Sequence, residues 1–158
     1  PLLMPAAHAL MQTVEDADRE TAHLSADDLW RVAGDAAPIG FHLRHIAGAT
    51  DRLFTYARGE KLNDAQRTAL AAEKSPGSPP ADATMLLDGL RRAIEEALAQ
   101  LRATPASALK EPRTVGRAAV PSTVLGLLLH AAEHSQRHAG QIATTVRALK
   151  LAKRAGAE

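Results

Sequence analysis

STVLGLLLHAAEHSQRHAGQIATTVRAL, Ser122–Leu149, decides how the rest of the chain is read. Its apolar residues recur at helical spacing without a break, and His130, His134 and His138 fall inside the pattern at i, i+4 and i+8. Side chains four residues apart share one face of a helix and lie about 6 Å apart along its axis. With His134 at zero on a wheel of about 100° per residue, His138 lies at about +40°, His130 at about −40°, and Leu127 and Thr145 at about +20°. The three imidazoles therefore share the side of the apolar stripe and face whatever this helix packs against.

Working outward, three more patterns of this kind precede it. The first runs from about Ala6 to Ala22, with Ala9, Leu10, Thr13, Val14 and Ala17 on one face and Pro5 suited to a first-turn position. Ser25 then caps a short helix that carries Leu29 and Trp30, with Asp28 at the third position. After the break at Gly34–Pro38, Pro38 opens a second long helix through about Arg58, which Gly59 ends. Residues 60–81 form a long connection with a short helix at AQRTALAAEK, followed by SPGSPP, which cannot be helical. The third helix spans about Asp82 to Ala103 with Leu86, Leu90, Ile94, Leu98 and Leu101 as its stripe. A second irregular segment, TPASALKEPRTVGRAAVP, leads to the fourth, and LAKRAGAE reads as a fraying tail.

Four amphipathic helices of about 17–28 residues predict an all-α protein, a four-helix bundle. The connection between helices two and three is longer than an up-down-up-down bundle needs, so a long crossover is expected there.

Composition agrees. The 158 residues suit one domain; 46% are apolar but only 3% aromatic, with Ala and Leu dominant, which favours helices over strands. Nineteen basic and eighteen acidic side chains leave a charge of +1, and no basic face carries base-stacking aromatics, so nucleic acid is not an expected partner. With no cysteine, any metal must be held by nitrogen and oxygen. No apolar run reaches the roughly 18–20 residues that span a bilayer. The N-terminus lacks a cationic start and turns acidic too early for a secretory signal, so the expected location is the cytoplasm.

A neutral histidine on a buried face is commonly a hydrogen-bonded core residue. Three at one-turn spacing admit a second reading, because two imidazoles at i, i+4 can hold one divalent cation. His130 and His138 are about 12 Å apart in rise, so an adjacent pair binds and the third does not. A site built on two residues of one helix needs a third ligand from elsewhere. The candidates are His42 and His45 in PIGFHLRHIAGATDRLF on helix two. The apolar face there centres on Ile39, Leu43, Ile46 and Leu53, and His42 points nearer that centre while His45 lies on its flank.

PIGFHLRHIAGATDRLF followed by HAAEHSQRHAGQI resembles the DinB-like, or DinB/YfiT-like, superfamily of metal-binding four-helix bundles. There a histidine before a small apolar stretch on helix two joins two histidines at i, i+4 on the last helix, the last often followed by Arg-Gly-Gln. Matched in this way, the resemblance implies metal ligands at His45, before Ile46-Ala47-Gly48-Ala49, and at His134 and His138, before Ala139-Gly140-Gln141. It thus selects His45 where the wheel favoured His42. Ala139 stands where arginine is common. The likeness extends over nearly the whole chain and implies a single domain of this kind over residues 1–158. It further implies a divalent ion such as nickel, zinc, iron or manganese, with positions open for water or for a low-molecular-weight thiol as cosubstrate, and a homodimer. An ion held by three neutral imidazoles keeps its full charge and can lower the pKa of a bound water or thiol.

The leading expectation is a metal-dependent enzyme of thiol S-transferase, isomerase or hydrolase type acting on a small molecule. The alternatives are a non-catalytic, metal-binding dimer serving as a stress-response or scaffold protein, and a bundle whose buried histidines bind no metal. His42, His130, Gln141, Arg137 and Trp30 are candidates to support the ligands or touch substrate. Gln141 is placed to hydrogen-bond a ligand histidine, and Arg44, Arg52 and Arg137 flank the ligands and are suited to a carboxylate. Asp51 is placed to orient a histidine, Gly140 to permit close helix packing, and Trp30 to serve as pocket wall or core anchor. His8 and His23 are expected at the surface.

Overall fold

The computed structural model describes residues 2–155. Four long helices form the bundle: α1 (Met4–Thr21), α3 (Ile39–Ala57), α5 (Ala83–Ala103) and α6 (Val124–Ala155). Two short helices lie in the connections, α2 (Ala26–Trp30) and α4 (Asp64–Ala72). α1 and α3 each pack against both α5 and α6, so these consecutive long helices occupy opposite corners of a square. The links α1–α3 and α5–α6 must then span a diagonal, and both carry structure of their own. The protein is thus an all-α four-helix bundle, with the long crossover between α3 and α5 carrying α4.

Local chemistry sets the ends of these elements. The Ser25 hydroxyl accepts from the Asp28 N–H at 3.2 Å to start α2, and the Asp82 carboxylate accepts from Met85 N–H at 2.9 Å to start α5. Asn63 opens α4 with a reciprocal pair, its side chain accepting from Gln66 N–H while the Gln66 side chain accepts from Asn63 N–H. Gly59 closes α3 with φ +80°, a conformation that costs a residue without Cβ little.

The core is built from aliphatic side chains: Leu10, Leu29, Ile39, Leu43, Ile46, Leu90, Leu127, Leu128 and Ile142 are almost wholly shielded. Buried hydroxyls are paired. Thr13 donates to Ala9 O at 2.9 Å and accepts from Gln136 of α6 at 2.9 Å, and Thr50 of α3 meets Ser135 of α6 at 3.3 Å.

The structure departs from the sequence reading in the segment before α6. It holds a 3-10 turn at Ala106–Lys110 and a hairpin of β1 (Pro112–Val115) and β2 (Val120–Thr123), paired antiparallel. Strands of four residues are too short for a period-two pattern to register, which hid them. Arg113 anchors the hairpin by donating to Ala57 O at the end of α3, at 2.8 Å. Because Ser122 and Thr123 pair in β2, α6 begins at Val124 rather than Ser122. It also continues to Ala155, through most of the expected tail, whose last residues, 156–158, lie outside the described ones. Among the described residues no helix is long and apolar enough to cross a membrane.

Leu90→Ala, which empties a fully buried site on α5, is expected to cost about 2–5 kcal/mol, read as a lower urea midpoint with an unchanged m-value.

Candidate metal centre

α3 and α6 run antiparallel, since His42 faces His138 while His45 faces His134. The Nε2 atoms of His45 and His134 are 2.9 Å apart. One nitrogen from each of His45, His134 and His138 lies within 4.8 Å of the other two. Two nitrogens bound to one ion at about 2.0–2.1 Å are separated by about 3.3 Å in a tetrahedral site, so side-chain rotations of about 1–2 Å close the set. These three histidines can hold a metal ion.

The chemistry of the nitrogens supports the fit. Nδ1 of His45 lies 2.8 Å from Glu73 Oε2 and donates to it, so in the neutral ring the lone pair is on Nε2, which faces His134. Two facing lone pairs at 2.9 Å would repel, so a proton on one of the two nitrogens or a shared cation must lie between them. At the other end, Nδ1 of His42 and Nδ1 of His138 are 2.9 Å apart. The tautomer in which His138 donates there frees its Nε2 for a metal. Burial, reinforced by neighbouring imidazoles and Arg137, pushes His134 and His138 down to about 4. Both are neutral near pH 7, the form a metal requires. Burial likewise lowers His42.

Two contributors were not singled out by the sequence reading. Glu73, just after α4, is 5% exposed and accepts from His45 and, through Oε1, from Arg52 Nη1 at 2.6 Å. Burial pushes its carboxyl up, but the hydrogen bonds from His45 and Arg52 outweigh that and hold it below the usual range. Phe41 stacks on the His45 ring, 5.2 Å between centroids and 16° between planes. A single acid in an aperiodic connection carries no signal that it will be buried; an aromatic one turn before a histidine carries a weak one.

The remaining candidates fall as follows. His42 is buried and contacts His138, as its inward position on the wheel required. His130 is half exposed at the rim, its Nδ1 3.2 Å from Glu133. Arg137 is paired with Glu133 rather than directed inward. Gln141 is exposed. Asp51 orients no histidine but accepts from Gln66 of α4 at 2.9 Å, and Glu73 takes the role expected of it. Arg44 is turned away to the crossover carbonyls and the Trp30 ring. Trp30 is an anchor, not a wall of the cleft beside the histidines: it packs on Gly40, and its indole N–H donates to Ala81 O at 2.9 Å. Gly140 is exposed with open space where a Cβ would stand, so it serves no close packing. His8 and His23 are exposed as expected.

A cleft of about 1170 Å³ opens beside the cluster, with His45, His134 and His130 on its wall. Arg52, Lys61, Arg67, Arg113 and Arg117 also line it, against one carboxylate, Glu60.

A family model of the DinB superfamily matches residues 6–142, which include every residue of the cluster. The fold is similar to that of a crystal structure described as the conserved protein of locus from Enterococcus faecalis. The TM-score is 0.76, with 14% identity over 92% of this chain and 95% of that one. Likeness at that identity speaks for the fold alone. No curated protein matches the chain.

Because His134 and His138 fall from 6.5 to about 4 on folding, the unfolded chain binds more protons than the folded one between these values. Stability of the metal-stripped protein is therefore complete above 6.5 and is expected to decline as pH falls toward 4. Thermal midpoints measured across that window should show this decline, and it should be weaker in the His134→Gln/His138→Gln variant.

Proposed function

The chain belongs to the DinB superfamily, and on that premise we propose that it is a divalent-metal-dependent enzyme with His45, His134 and His138 as ligands. It activates a thiol or a water against a small substrate, as a transferase, isomerase or hydrolase. One observation carries the reading: three imidazole nitrogens gathered within 4.8 Å, with two of their rings on the wall of an open cleft. Structural metal sites are commonly closed by four protein ligands, whereas three leave room for an exogenous group.

When bound, the ion supplies a positive charge that lowers the pKa of a thiol or water beside it. The chain's own residues do the rest. Glu73 and His42 hold protons on or near the outer nitrogens of His45 and His138, so that the inner lone pairs are presented. Phe41 fixes the plane of the His45 ring. Arg52, Arg67 and Arg113 on the cleft are paired with Glu73, Asp64 and Glu111, so it is Lys61 and Arg117 that favour a substrate carrying a carboxylate or another anionic group.

Protein produced without a histidine tag is expected to retain about one divalent ion per chain, a stoichiometry set by one open three-ligand site, measured by elemental analysis. His45→Ala and His134→Ala should bring this to background. The metal-loaded protein should accelerate reaction of glutathione or cysteine with an electrophilic aryl halide, or hydrolysis of an activated ester, with loss of about 10²-fold or more on stripping. Absence of metal from untagged protein supplied with nickel, zinc, iron and manganese in turn defeats the reading.

A further inference from the structure

The crossover is attached to the bundle in an unusual way. α4 buries none of its own side chains. The buried residue that follows it is a carboxylate, Glu73. The hydrophobic effect does not hold such a group; a buried carboxylate stays only where its oxygens are paired. Both are: Oε2 accepts from His45 Nδ1 at 2.8 Å and Oε1 from Arg52 Nη1 at 2.6 Å.

The space for this pair is made by Gly48, one turn beyond His45. A Cβ there would stand 2.6 Å from Glu73 Oε1 and 2.7 Å from Arg52 Nη1, too close for either to remain. Other residues of α3 grip the crossover on both sides of Glu73. Arg44 donates to the carbonyls of Ala72 and Pro76, each at 3.3 Å, and to that of Ser75. Near the start of α4, Gln66 donates to Asp51 at 2.9 Å and to Thr55 at 2.7 Å. Polar contacts hold the strap along its length, and the central one ends on His45.

We propose that Glu73 is a positioning residue for the metal site, and that docking of residues 64–76 onto α3 is coupled to metal binding through the His45–Glu73 hydrogen bond. The inference rests on the metal reading above. Glu73 meets the outer nitrogen of the imidazole, while Nε2 faces His134, so it supports the ligand and does not join it. By accepting at Nδ1 it keeps the proton there and leaves Nε2 as a lone pair. A cation at Nε2 draws charge from the ring and makes Nδ1–H a stronger donor, which tightens the grip on Glu73. By linkage, whatever factor Glu73 adds to metal affinity, bound metal adds to docking of the strap. His42 supports His138 in a similar way, but it lies on α3 itself and couples to no separate segment.

Zn²⁺ and Ni²⁺ affinities, measured by competition with a chromophoric chelator, test this on the full chain together with amide hydrogen exchange over residues 64–76. Glu73→Gln is expected to weaken affinity about 10–100-fold, the usual range for an outer partner of a ligand histidine. Gly48→Ala, which touches no ligand but displaces Glu73 Oε1 and Arg52 Nη1, should weaken it as well, and the double variant should be little worse than Glu73→Gln, because both act through the placement of Glu73. In the wild type metal should slow exchange over 64–76, and in Glu73→Gln it should not. If either variant lowers the thermal midpoint of the metal-free protein while affinity stays within about threefold of wild type, the role is structural only and the proposal is overturned. Exchange over 64–76 that ignores metal in the wild type overturns it as well. Tight metal binding with indifference to Glu73 refutes this inference alone, whereas a wild type that takes up no metal refutes it along with the metal reading.

Discussion

The packing of α3 against α6 is the constraint on which the rest depends. The two helices run antiparallel, joined side chain to side chain at His42–His138, His45–His134 and Thr50–Ser135, and both bury small and aliphatic residues, among them Leu43, Ile46, Ala49, Leu127, Leu128 and Ala131. A chain with 3% aromatic residues can bring backbones close along such faces, because alanine leaves little between them. Close approach lets short imidazole side chains on one helix reach those on the other.

Burial of so many polar rings needs an account, since a buried nitrogen without a partner is costly. Here the rings satisfy one another. His42 meets His138, His45 meets His134, and Glu73 takes the remaining nitrogen of His45, itself balanced by Arg52. Among the described residues no buried side-chain nitrogen or oxygen lacks a partner. Burial among these contacts holds His134 and His138 neutral near pH 7. That is the state in which nitrogen lone pairs are available, and it arises from the same contacts that make burial tolerable. The price of this compactness is dependence on one carboxylate brought in from the crossover.

The helices were legible because each carries an apolar stripe repeated over four or more turns, a signal that needs no knowledge of partners. Caps such as Ser25 and Asp82 were equally local. The hairpin was not legible, since Thr114, Val115 and Val120 are too few to show alternation. The choice between His42 and His45 is instructive. The helical wheel ranks residues by how squarely they face the core, and His42 is indeed the more buried. A site that must admit a ligand needs a side chain at the edge of the core, where His45 stands on the cleft wall. Resemblance to a family pointed to the flank; periodicity alone pointed to the centre.

Residues within one or two helical turns thus announced the bundle and the pairing of His134 with His138, because helix geometry relates i to i+4 whatever the surroundings. What joined them to the remainder had no such local rule. His45 and His134 are 89 positions apart, His42 and His138 are 96 apart, and Glu73 reaches His45 across 28. Contacts at those separations depend on which faces pack and how the crossover lies, and a carboxylate destined for burial is chemically identical to one left in water. The tertiary structure alone made Gly48 a notch, Glu73 a partner and the cleft an entrance, because each is a property of the space between elements rather than of any element by itself.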